Sequence, residues 1–164
     1  MKQSILITTL AFIFATLFLR PVDGYAAGDG NFDSRVHIAL VQEGVQFRHE
    51  NGDFLSRIET DGGRGQMVIV NSDTEKKGEY EYREVCSIAY MGEPLNERRL
   101  EELLVNNAKL SIGGWRVQTE DLWVVVFSVR IAADADGPTI KSAMAICALM
   151  ADQLEKEWTR TDQF

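Results

Sequence analysis

The residues best suited to chemistry in this chain are its two histidines and two cysteines. His37 falls on a predicted first helix and His49 on a predicted hairpin, and no HxxxH or HExxH spacing links them. Such spacings place two metal-binding imidazoles on one face of a helix. The cysteines are also far from both histidines in sequence. We therefore predict no metal site and interpret the histidines as solvent-exposed or hydrogen-bonded side chains.

Cys86 and Cys147 allow two interpretations. An even cysteine count in an exported protein favours a disulfide, which would close a loop of about 60 residues and stabilise the fold by about 3–4 kcal/mol. Cys147 lies on the apolar stripe of the last predicted helix, and Cys86 lies on a strand that this helix could cover. Alternatively, both are buried, reduced thiols, because free cysteine is among the most buried residue types.

No other motif indicates catalysis or a cofactor. The glycine-rich segment 61–65 lacks the Gly-Lys-Ser/Thr ending of a phosphate-binding loop. It also precedes a predicted strand, whereas such a loop presents its N–H groups at the start of a helix. A GxSxG motif is absent, and the neighbouring Glu101 and Glu102 are typical of an exposed helix face. The sequence therefore predicts a protein that is not an enzyme and has no catalytic residue or cofactor.

The chain is acidic, with 25 Asp and Glu against 17 Lys and Arg and a formal net charge of -8. Negative charge repels nucleic acid phosphates and anionic lipid headgroups, so neither is an expected partner. The length of 164 residues and a hydrophobic content of 45% suit one globular domain with its own core.

The first 26 residues have the pattern of a secretory signal peptide. Lys2 supplies a basic start, Ser4 to Leu19 is almost uninterruptedly apolar, and small residues precede a plausible cleavage site after Ala26. We predict a signal peptide at 1–26, a flexible leader at 27–33, and a periplasmic or secreted mature protein. Contact with a membrane is expected only through the signal segment, if it is not cleaved.

The remaining sequence alternates between strand and helix patterns, with an Asn51-Gly52 hairpin signal and a strongly apolar strand at 122–131. We predict an α+β domain over 34–158, with three helices on an antiparallel sheet of about five strands. The predicted order is α-β-β-β-α-β-β-α, with the middle helix at Pro94–Lys109. Residues 159–164 are expected to be a frayed tail.

This pattern resembles the YbjN family, which shares its fold with the type III secretion chaperones. The residues that carry the resemblance are Gly44-Val45-Gln46-Phe47, Asn51-Gly52-Asp53, Tyr90-Met91-Gly92-Glu93-Pro94 and Leu103-Leu104-Val105-Asn106-Asn107-Ala108. The resemblance implies a sheet covered by helices, often dimeric, and a regulatory or chaperone-like role without enzyme activity. Secretion chaperones act in the cytoplasm, whereas the predicted signal peptide sends this chain out, so an escort role in type III secretion is not expected.

The expected function is therefore binding of a protein partner or of a second copy in a homodimer. The candidate interaction surface comprises Leu95, Arg99, Leu103, Leu122, Val124 and Val126, because strand 122–131 is apolar on both faces. The alternative is a periplasmic small-ligand-binding domain with a pocket between the sheet and the last helix, lined by Trp123, Phe127 and Met144.

Overall fold

The computed structural model describes residues 32–119 and 122–164. The predicted signal peptide and residues 27–31 of the predicted leader lie outside these ranges. The described residues form an α+β fold with three helices on an antiparallel sheet, and the predicted class and element order are confirmed. The elements are α1 Ser34–Gln42, β1 Arg48–Glu50, β2 Asp53–Glu59, β3 Gly65–Lys77, β4 Tyr80–Gly92, α2 Glu97–Asn107, β5 Gly114–Thr119, β6 Trp123–Ala132 and α3 Gly137–Trp158.

The sheet has six strands in the order β1-β2-β3-β4-β6-β5, one more than the sequence predicted. The short β1 pairs with β2 across the Asn51-Gly52 turn, where the sequence predicted a hairpin. Both turn residues have positive φ, 53° and 90°, as a two-residue hairpin of this kind requires. The apolar strand β6 lies between β4 and β5, inside the sheet, and this position explains its apolar residues on both faces.

The segment Asn71–Lys77 has the polar composition that is typical of a loop, but it belongs to a strand. β3 continues to Lys77, and a register shift between Val70 and Thr74 marks a bulge in its pairing with β4. These residues are polar because the outer end of the β3–β4 hairpin is largely exposed to solvent. No apolar alternation therefore marks them as a strand.

Short polar residues begin all three helices, as capping predicts. Asp33 accepts a hydrogen bond from the N–H of Arg35 at the start of α1, so the predicted flexible leader ends before it. Asn96 caps α2, which begins later than the predicted Pro94. Asp136 caps α3 and precedes Pro138 in its first turn.

The main core lies between the sheet and the three helices, which share one face of the sheet. α3 contributes most of the helical residues to this core, whereas α2 buries only Leu103 within its helical span. A second, smaller cluster lies on the opposite face. It consists of Leu55, Ile69, Cys86, Ile88, Val124, Val126 and Phe164.

The predicted frayed tail at 159–164 is instead packed against the body of the protein. Phe164 is only 7% exposed and belongs to the second cluster. Its carbonyl accepts a hydrogen bond of 2.9 Å from the N–H of Met67 in β3. The sequence pattern misses this contact because the interacting residues are about a hundred positions apart.

Candidate functional site

Four residues of the predicted interaction surface are buried and are not available as a surface in this chain. Leu95 and Leu103 lie in the main core, and Val124 and Val126 lie in the second cluster. Each is at most 7% exposed. These four residues are buried because the stripe Leu95–Leu103 is the inward face of the α2 region and because β6 is interior to the sheet.

Arg99 also has an internal role. Its guanidinium carbon lies 4.7 Å from the ring centroid of Trp158 and 5.6 Å from that of Tyr90. These distances are those of cation–π contacts, and the two rings meet edge to face at 5.9 Å. Arg99 thus connects α2 to the end of α3. Of the predicted surface residues, Leu122 is the one that is well exposed, at 43%.

The exposed apolar residues near α2 are different from those that the sequence suggested. Leu104 is 70% exposed, the most exposed of the large hydrophobic residues in the described chain, and Val105 is 46% exposed. Ile112, in the connection to β5, is 51% exposed. Helical geometry explains why Leu104 is exposed while Leu103 is buried, because Leu103 points to the core and the next residue is turned about 100° away from it.

Asn107, at the end of α2, binds the edge of the sheet. Its Oδ1 accepts a hydrogen bond of 2.7 Å from the N–H of Trp115, and its Nδ2 donates one of 3.1 Å to the Trp115 carbonyl. The side-chain amide therefore takes the place that a neighbouring strand would fill. Since the N–H and C=O of Trp115 point away from β6, those of Val117, two residues on, do the same.

The outer edge of β5 beyond Trp115 is therefore open. No hydrogen bond to the backbone of Val117 on this side occurs among the described residues. Leu104 lies three residues before Asn107, on the same stripe of α2. We call the set of Leu104, Ile112 and the outer edge of Val117 the α2–β5 edge.

Of the two interpretations of the cysteines, the structure has the buried free thiols and not the disulfide. Both are free and buried, Cys147 in the main core and Cys86 in the second cluster on the other face of the sheet. The sheet lies between the two side chains, so pairing would require the backbone to move. Burial raises the pKa of the Cys147 thiol to about 12 and also raises that of Cys86, so both stay protonated at neutral pH.

The structure brings the two histidines together, which their spacing did not predict. Nδ1 of His37 lies 3.4 Å from Nε2 of His49, and the ring of Phe32 stacks on His49 at 4.1 Å. Burial, and then the neighbouring His37, lower the pKa of His49. Nδ1 of His49 is buried with no hydrogen-bond partner, so the tautomer that donates from Nε2 to His37 leaves no buried N–H unsatisfied.

The three carboxylates of Asp152, Glu155 and Asp162 converge on one cation, the guanidinium of Arg64. Its Nε lies 2.6 Å from Asp152, and its Nη2 lies 3.4 Å from Glu155 and 3.9 Å from Asp162. Within the two described ranges this is the one group of three acidic, histidine or cysteine ligand atoms close enough to hold a metal ion. Because Arg64 already supplies the positive charge, the arrangement is an ion-pair cluster.

None of the helices in the described part of the chain is sufficiently long and apolar to cross a membrane.

Comparison with known proteins identifies no relative. No family model matches the chain, and no curated protein and no solved structure matches it either. The resemblance to the YbjN family therefore stays a prediction that rests on the quoted sequence segments.

Proposed function

We propose that this protein is an exported, non-enzymatic α+β domain that binds a protein, in the first instance a second copy of itself, through the α2–β5 edge. The observation that carries this proposal is the combination of an open edge strand with the 70% exposed Leu104 beside it. An unpaired strand edge is a ready template for another strand.

A second copy fits this edge because the pairing is self-complementary. Antiparallel alignment of two β5 strands about a two-fold axis at Val117 would let each Val117 exchange its outward N–H and C=O with its counterpart. The amide of Asn107 limits this pairing, because it already occupies the backbone of Trp115. The two α2 helices would flank the axis and bury Leu104 and Ile112. These side chains would add buried apolar surface to the two hydrogen bonds of the strand pairing.

The proposed export is supported by the signal-peptide pattern of residues 1–26. The resemblance to the YbjN family agrees with a regulatory or chaperone-like role. The alternative of a small-ligand-binding domain gains no support from the side chains that were expected to line its pocket. Phe127 and Met144 are at most 1% exposed and belong to the continuous main core.

The test is the oligomeric state of the mature chain, measured by sedimentation over a wide concentration range. We expect dimerisation for the wild type and at least a tenfold weaker dimer for Leu104→Glu. Leu149→Glu is the matched control, because Leu149 is also an exposed leucine on a helix, at 53%, but lies on α3. A wild type that stays monomeric at millimolar concentration, or equal weakening by both substitutions, contradicts the proposed interface.

A further inference from the structure

The last three residues of the chain are held as a bound peptide would be, the first and third by the start of β3 and the second by α3. Oδ1 of Asp162 accepts a hydrogen bond of 3.4 Å from the N–H of Gly65. The next residue, Gln163, donates its N–H to the buried carboxylate of Glu155. The carbonyl of Phe164 accepts from Met67, and its side chain enters the second cluster.

The backbone site for this segment arises because β3 and β4 separate. Their pairing begins at Val68 and Ser87, so β4 does not cover the first residues of β3. Met67 therefore has an N–H and a C=O that point into the gap. The tail satisfies the N–H through Phe164, and the hydroxyl of Ser87 donates to the C=O at 2.7 Å.

The separation of β3 and β4 at the gap is also fixed by a contact that does not involve the tail. Nε2 of the fully buried Gln66 donates a hydrogen bond of 2.6 Å to the carbonyl of Ile88, which keeps the two strands at a fixed separation. The side chain of Ile88 is 2% exposed and belongs to the same cluster as the ring of Phe164. The ring therefore has a preformed apolar wall.

Two positions before Phe164, the positive charges of Arg57 and Arg64 favour an acidic residue, here Asp162. The carboxylate of Asp162 lies 3.9 Å from the guanidinium groups of both Arg57 and Arg64. Arg64 is already oriented by Asp152, so little side-chain entropy is lost when Asp162 approaches. The side chain of Gln163 is exposed, and only its backbone is bound.

We propose that the gap between the start of β3 and the end of β4 is a recognition site for an extended Asp-x-Phe segment. The chain's own residues 162–164 occupy it here, and the site accepts the same segment from another molecule when the tail leaves. An acidic residue and an aromatic residue two positions later define the partner, and the residue between them is free to vary.

A chain that ends at Arg160 tests this proposal. After circular dichroism has confirmed its fold, a fluorescent Thr-Asp-Gln-Phe peptide is titrated into it and anisotropy is measured, with a free and with an amidated end. We expect saturable binding to the shortened chain and at least tenfold weaker binding to the full chain. Peptides with Asn for Asp or Ala for Phe are expected to bind at least tenfold more weakly than the parent peptide.

A second measurement applies if the shortened chain does not fold. In the full chain, Phe164→Ala is expected to increase the rate of Cys86 alkylation, because Cys86 lies in the same cluster, with Cys147 in the main core as the internal reference. The Thr-Asp-Gln-Phe peptide should slow that reaction again. Equal affinity for all three peptides, no binding at millimolar peptide, or no protection of Cys86 would overturn the proposal. None of these outcomes bears on Leu104 or the α2–β5 edge.

Discussion

Arg83 and Asp33 form an ion pair inside the protein, with Nη2 of Arg83 2.7 Å from Oδ2 of Asp33. The Arg83 side chain is fully buried, and it also donates to the carbonyls of Asn71 at 2.9 Å and Ala133 at 2.7 Å. One guanidinium therefore joins the start of α1, the bulge of β3 and the segment after β6.

Replacement of this arginine is expected to be strongly destabilising. Arg83→Leu leaves Asp33 without its buried partner and several carbonyls without a donor, and loss of one partner of a buried pair costs about 3–5 kcal/mol. Urea unfolding measures the change. The exposed Arg98→Leu is the control and should change the free energy of unfolding by less than about 0.5 kcal/mol. A loss below about 1 kcal/mol for Arg83→Leu would contradict the structural role.

The same ion pair predicts a loss of stability in acid. Burial alone would raise the pKa of Asp33, but hydrogen bonds from Arg35 and Arg83 outweigh it and hold the pKa well below its ordinary value. A lowered pKa contributes stability above the unfolded value of 3.8, and this contribution is lost as the pH falls towards the folded pKa. Urea unfolding between pH 5 and 2 should show a shallower decline for Asp33→Asn than for the wild type, whereas equal slopes would argue against the pair.

His49 predicts a second pH dependence, nearer neutrality. Its lowered pKa means that the unfolded chain binds a proton more readily than the folded chain as the pH drops below 6.5. The contribution of His49 to stability should therefore fall between pH 7 and pH 5, so that stability falls more steeply, or rises less, in the wild type than in His49→Phe over this range. An imidazole titration followed by NMR gives the folded pKa directly, and a value above 6.5 would refute the prediction.

Asn107 links fold stability to the open edge of β5. Asn107→Ala removes both hydrogen bonds to Trp115 and should lower the free energy of unfolding by about 1–3 kcal/mol. It also exposes more of the edge, so a stronger dimer is expected at equal concentration. Asn106→Ala is the neighbouring control on the same helix. Weaker dimerisation of Asn107→Ala would place the contact elsewhere.

The cysteines predict a simple chemical result. Mass spectrometry of residues 27–164, alkylated after unfolding without reductant, should show two modified thiols. In the folded chain both should react far more slowly than a free cysteine, because burial raises their pKa. A mass unchanged by alkylation would restore the disulfide interpretation.

Local signals in the sequence were sufficient for the elements that depend on neighbouring residues. Asn51-Gly52 requires left-handed backbone, so this dipeptide alone predicted the turn between β1 and β2. The prediction involves residues within a few positions of one another. The element order and the fold class follow from such signals together with apolar periodicity.

The surface could not be predicted in the same way, because burial depends on contacts between distant residues. Leu103 and Leu104 are adjacent and chemically identical, yet their exposures are 3% and 70%. The pairing of His37 with His49 and the use of Asn107 as a strand substitute likewise require the folded arrangement. The same holds for Arg83, whose full burial contradicts the ordinary preference of arginine for solvent.

The shallow attachment of α2 has a consequence for amide hydrogen exchange. α2 buries one residue within its span, whereas α3 buries nine, so local unfolding of α2 costs much less than global unfolding. Amides of α2 should exchange through such openings while those of α3 exchange only when the whole domain unfolds. A partner bound at Leu104 would suppress these openings, so exchange rates in α2 report occupancy of the edge.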